Sequence, residues 1–74
     1  NITLVLDSKK VGSGDLEKIR GLVDKNPGTC GLFFTVVENG TIKQYRSKEY
    51  KINLSNELIS NLKNILGEDN LHIN

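Results

Sequence analysis

Hydrophobic and polar residues alternate with a period of two in several parts of the chain, which predicts β-strands. The segment at residues 31–37 carries apolar side chains on both faces, which is typical of a central strand. The predicted strands are residues 2–6, 31–37, 41–47 and 71–73, with a second short extended stretch at 50–54.

Two other segments have hydrophobic residues at helical spacing, which predicts helices at residues 15–25 and 55–66. Ser13 is the predicted N-cap of the first helix, and Asn53 or Ser55 that of the second. Gly67 is expected to end the second helix in a left-handed conformation. The stripes expected to be buried are Leu16, Ile19, Leu22 and Val23 in the first helix, and Leu58, Ile59, Leu62, Ile65 and Leu66 in the second.

Two turn signals separate these elements. Asn26-Pro27-Gly28 should stop the first helix, because proline cannot continue a helix and glycine turns at low cost. Asn39-Gly40 lies between two predicted strands and is a strong signal for a tight β-hairpin.

The predicted order of elements is therefore strand, helix, strand, strand, helix, strand. This order predicts an α+β fold, a two-layer βαββαβ sandwich with two helices on one face of a four-stranded sheet. The ferredoxin-like split βαβ arrangement and an incomplete Rossmann-like order, with the parallel strands adjacent, use the same elements. The pattern leaves both open.

The length of 74 residues fits one domain with a thin core. Ten basic and nine acidic residues give a net charge of +1, which does not favour a dedicated nucleic-acid binder. The chain begins at Asn1 and contains no methionine, so we expect it to be a fragment of a larger protein.

Cys30 and His72 are too few ligands for a zinc site, and no disulfide can form, so we expect no metal and no cofactor. Cys30 is predicted to be half-buried at the start of a strand, and His72 to lie on a surface edge strand. A small domain without disulfides favours the cytoplasm, and no apolar run is long enough for a membrane span.

No residue pattern predicts catalysis. The loop containing Gly12 and Gly14 lies between a strand and a helix, but Asp15 and Glu17 put negative charge where a phosphate would bind. The remaining carboxylates show no spacing typical of an acid–base pair, so we expect this chain not to be an enzyme.

The segment from Tyr50 through Leu58, followed by Leu62 and by Ile65-Leu66-Gly67, resembles the closing segment of bacterial DNA polymerase III alpha subunits (DnaE). The apolar stripe of the first helix, Pro27-Gly28 and the following hairpin are similar too, so the resemblance covers essentially the whole chain. Leu54 stands where that family usually has proline.

The resemblance implies a non-catalytic domain at the C-terminus of a replicative polymerase, whose partners are the clamp-loader tau subunit and the rest of the alpha chain. It implies that Tyr50, Leu71 and Ile73 contact tau and that Lys51 lies at the rim of the contact. The parent protein would be a DNA-directed DNA polymerase.

Three other hypotheses remain. An ACT-like domain that binds a small regulatory ligand has the same order of elements. A module for single-stranded nucleic acid would use Tyr45 and Tyr50 with the surrounding lysines. A hydrolase of the acylphosphatase type would need an arginine in the first loop, where this chain has none.

Overall fold

The computed structural model describes residues 1–73, so Asn74, the last residue of the predicted domain, lies outside the described part. The elements occur in the predicted order, with one additional short 3₁₀ segment before the last strand. They are β1 (Ile2–Asp7), α1 (Ser13–Lys25), β2 (Pro27–Glu38), β3 (Thr41–Ile52), α2 (Asn56–Leu66), the 3₁₀ segment Glu68–Asn70 and β4 (Leu71–Ile73).

The four strands form one mixed sheet in the order β3-β2-β1-β4. β1 runs parallel to β2, while β4 pairs antiparallel with β1 and β3 antiparallel with β2. The two parallel strands joined by α1 are therefore direct neighbours. The prediction of an α+β βαββαβ sandwich is confirmed, but the split ferredoxin-like alternative is wrong, because β1 and β2 pair directly with each other.

One hydrophobic core holds both helices against the same face of the sheet. The sheet contributes Ile2, Leu4 and Leu32, which are almost fully buried and point to this face through the alternation of side chains along each strand. The helical members of this core are Ile19, Val23, Leu58, Leu62 and Leu66. Within residues 1–73, no helix covers the opposite face of the sheet.

The helix ends follow local hydrogen bonds. Gly12, not the predicted Ser13, is the N-cap of α1, and its amide donates to the Asp15 carboxylate at 3.2 Å. Ser55 caps α2 as predicted, its hydroxyl accepting from the Leu58 amide at 3.1 Å. Gly67 has the predicted positive φ of 89°, but its ψ of 151° is extended rather than helical.

The hairpin prediction is confirmed by the backbone of the turn. Asn39 and Gly40 have φ values of 49° and 78°, the two positive angles that a type I′ turn needs. Both strands of the hairpin are longer than predicted. β2 begins at Pro27, and β3 continues to Ile52 through a bulge, which joins the two extended stretches expected from the sequence.

No helix within residues 1–73 is long and apolar enough to span a bilayer.

Candidate functional site

A groove of about 390 Å³ lies on the helix-bearing face, between α1 and the edge strand β3. Its floor is apolar because it is formed by core residues of β1 and β2. Its lining residues are Leu6, Leu16, Ile19, Arg20, Val23, Leu32, Phe34, Tyr45, Arg46, Ser47 and Tyr50. We call this the α1–β3 groove.

The walls of the α1–β3 groove expose large apolar side chains to solvent. Leu16 on α1 is 45% exposed, and Tyr45 on β3 is 52% exposed. Leu16 was predicted to be buried with the rest of its helical stripe. It is not, because it lies at the edge of the core where the groove opens.

A bulge in β3 places Tyr50 in the groove. Between Gly31 and Phe33 of β2 the partner residues change from Lys51 to Arg46, so residues 47–50 stand opposite Leu32 alone. The Tyr50 amide donates to the Ser47 hydroxyl at 3.1 Å across this bulge. Tyr50 is half-buried and packs against the core, so it covers the end of the core and lines the groove at the same time.

The other residues expected to contact a partner lie elsewhere on the sheet. Lys51 is exposed at the end of β3, whereas Leu71 and Ile73 lie on β4 at the opposite edge, with β2 and β1 in between. Leu71 is only 8% exposed and belongs to the core, while Ile73 is 52% exposed. The four residues therefore do not form one surface. Tyr50 and Lys51 lie at one edge of the sheet and Ile73 at the other, while the side chain of Leu71 is buried.

Two further residues of the groove did not enter the set of expected contacts. The sequence suggests Tyr45 only as a stacking residue for nucleic acid, and it gives no signal for Arg20. Their common position depends on β3 lying at the edge of the sheet beside β2. No local pattern signals that position, because it arises from pairing between distant parts of the chain.

The uncovered sheet face is different in character. The Arg46 guanidinium lies 5.7 Å from the centroid of the Phe33 ring, its cross-strand neighbour on that face. The charge of Arg46 is therefore directed to the face opposite the groove, although the residue also borders the groove.

Cys30 and His72 occupy the places expected of them. Cys30 is half-buried in β2, with its Sγ 3.7 Å from the Gly31 carbonyl oxygen, and His72 is exposed on the edge strand β4. Among residues 1–73, no three histidine, cysteine or acidic side chains are grouped as a metal site would require.

Residues 2–73 match the family model described as DNA polymerase III alpha subunit, C-terminal domain. The chain belongs to this family. Neither the curated proteins nor the solved structures include a match to the chain. The family match runs from β1 to β4, so it includes the whole α1–β3 groove as well as Tyr50, Lys51, Leu71 and Ile73.

Proposed function

We propose that this chain is a non-catalytic docking domain of the replicative polymerase alpha chain, and that it binds the tau subunit of the clamp loader in the bacterial cytoplasm. Membership of the alpha-subunit family supports a role in DNA replication. The choice of tau as the partner follows from the resemblance of the segment from Tyr50 to Leu58 to tau-binding polymerases.

The α1–β3 groove is the observation that carries this proposal. It presents two tyrosines and a half-exposed leucine around an apolar floor, in a domain whose core is otherwise small. Tyrosine is enriched among the residues that dominate binding energy in protein interfaces, since it buries a large ring while keeping a polar hydroxyl. A partner side chain inserted here would remove the exposed parts of Leu16 and Tyr45 from water.

In this proposal Tyr50 is the central contact with tau. Lys51 lies at the rim of that contact, where its charge orients the partner. Ile73 is a second contact at the opposite edge of the sheet, and the buried Leu71 holds β4 in place so that Ile73 is presented. Three strand spacings separate β3 from β4, which is about 14 Å. A standard interface buries roughly 800 Å² per partner and is wide enough to include both surfaces.

The test is the affinity of the purified chain for purified tau from the same organism, measured by surface plasmon resonance. We expect specific binding that Tyr50→Ala weakens by about tenfold or more, as is usual for a central aromatic contact. Tyr50→Phe should retain most of the affinity, because it keeps the ring. Asn61→Ala, in the shallow surface between the two helices, is the matched control and should change nothing.

Circular dichroism must show that each variant is folded. A folded chain that does not bind tau at any accessible concentration would contradict the proposed function. Binding that Tyr50→Ala leaves unchanged would instead contradict only the assignment of the groove.

A further inference from the structure

The charge of this chain is distributed unevenly over its surface. β3 carries four basic residues and one acidic residue, a net charge of +3, whereas the whole chain has a net charge of only +1. The rest of the molecule is therefore net negative by two charges. The basic residues of β3 are all exposed: Lys43, Arg46, Lys48 and Lys51.

Part of this positive charge adjoins the α1–β3 groove. Lys43 lies two residues before Tyr45 and opposite Val36, so its side chain is on the same face as the groove. Arg20 lines the groove from the α1 side. Neither cation forms an ion pair with a carboxylate in the described part of the chain. Among residues 1–73, no acidic residue lines the groove itself, whereas Glu38 lines the neighbouring surface that includes Lys43 and Tyr45.

The apolar floor and the free cations together indicate the chemistry of the occupant. An apolar side chain fits the floor formed by residues such as Leu32 and Phe34, and carboxylates beside it would meet Arg20 and Lys43. A segment in extended conformation could in addition pair with the outer edge of β3 between Thr41 and Arg46, since β3 is an edge strand of the described sheet.

Two other occupants fit less well. A second copy of the chain that paired through β3 would bring two strands of net charge +3 together, which is repulsive. Nucleic acid would need several exposed aromatic platforms, but of the two tyrosines of β3 only Tyr45 is exposed, because the Tyr50 ring packs against the core, and a phosphate gains nothing from an apolar floor.

We propose that the α1–β3 groove and the adjoining part of β3 bind an acidic peptide segment of a partner protein, in which one apolar side chain is flanked by carboxylates. The apolar side chain occupies the groove between Leu16 and Tyr45, and the carboxylates contact Arg20 and Lys43. This inference rests on the proposed docking function and specifies the segment of the partner that would be bound.

The test uses the purified chain and a fluorescein-labelled peptide with a single phenylalanine flanked on each side by glutamates, and anisotropy as the measurement. We expect saturable binding that is lost when the glutamates are replaced by glutamines or the phenylalanine by alanine. Affinity should fall as salt is raised from 0.1 M to 1 M, because the Debye length falls from about 10 Å to about 3 Å.

Arg20→Glu should weaken peptide binding by at least about tenfold, since it replaces an attraction by a repulsion. Lys18→Glu is the matched control, because it makes the same change of net charge on the same helix but lines the surface between the two helices instead. The control should retain the affinity of the unmodified chain.

The inference is overturned if the glutamine peptide binds equally well, if both charge reversals weaken binding equally, or if a labelled oligothymidine displaces the peptide. Concentration-dependent dimerisation that occludes the groove would overturn it as well. Tau binding that is insensitive to Arg20→Glu would overturn this inference and leave the proposed function standing. Peptide binding without tau binding would support this inference and contradict the proposed function.

Discussion

Tyr45 lies directly opposite Phe34 in the antiparallel register of β2 and β3. Phe34 packs against the core on the helix-bearing face, so Tyr45 is held on that face too, at the wall of the α1–β3 groove. The next residue, Arg46, lies opposite Phe33 and covers its ring on the other face. Consecutive residues of one strand thus face opposite sides of the sheet, Tyr45 towards the groove and Arg46 towards the uncovered face.

This arrangement predicts different effects for the two exposed apolar residues of β3. Tyr45→Ala should weaken tau binding by roughly 5- to 30-fold, because it removes one wall of the groove. Ile42→Ala should leave binding unchanged, although Ile42 is 65% exposed, because Ile42 lies opposite Val37 on the uncovered face. Surface plasmon resonance against tau measures both. If Ile42→Ala weakened tau binding more than Tyr45→Ala did, the docking surface would have to lie on the uncovered face.

The two apolar residues of β4 should differ in their contribution to stability. Leu71→Ala should lower the free energy of unfolding by about 2–5 kcal/mol, because Leu71 belongs to the core, where truncation leaves a cavity. Ile73→Ala should cost less than about 0.5 kcal/mol, since that side chain is largely in water. Urea denaturation followed by circular dichroism measures both values, and equal losses would contradict the placement of β4.

Gly28 is required by a close approach of two backbone segments. A Cβ on Gly28 would lie 2.5 Å from the amide nitrogen of Asn53, which is itself held by a 2.8 Å hydrogen bond to the Asn26 carbonyl. Gly28→Ala should therefore destabilise the fold by about 1–3 kcal/mol. Gly21→Ala is the control, because it adds a methyl group in open space on α1 and should stabilise by about 0.5–1 kcal/mol. Thermal unfolding of both variants should show shifts of opposite sign.

The cap of α2 gives another pair of matched substitutions. Ser55→Ala should cost about 1 kcal/mol, because the Leu58 amide loses the hydroxyl that accepts its hydrogen bond. Ser60 lies on the exposed side of the same helix. Ser60→Ala should stabilise the fold by roughly 0.5 kcal/mol or less, since alanine is the better helix former. If denaturant midpoints show that both substitutions are neutral, the Ser55 hydroxyl does not support the helix.

The elements that depend on neighbouring residues could be predicted from the sequence. The hairpin at Asn39-Gly40 follows from two residues that accept positive φ, and the short strand at the C-terminal end follows from the alternation of Leu71 and Ile73 with polar residues. Ser55 could be recognised as one of two possible caps because serine is favoured at that position.

The features that depend on long-range pairing could not be predicted. The adjacency of β1 and β2 is set by packing of the whole sheet, and the pattern allowed a strand between them. β3 is one strand with a bulge at residues 47–50. The bulge interrupts the alternation of side chains, so the sequence predicts two separate extended stretches. The groove arises from both the strand order and the bulge, which explains why the sequence predicts a buried Leu16 and why Tyr45 is missing from the expected partner contacts.

The most direct test of the account is the map of amide chemical-shift changes when unlabelled tau is added to the ¹⁵N-labelled chain. We expect the largest changes at Leu16, Arg20, Tyr45 and Tyr50, with little change at Asn61 and Asn64 between the two helices. Changes confined to the uncovered sheet face, or no changes at saturating tau, would contradict the claim that this chain docks its partner through the α1–β3 groove.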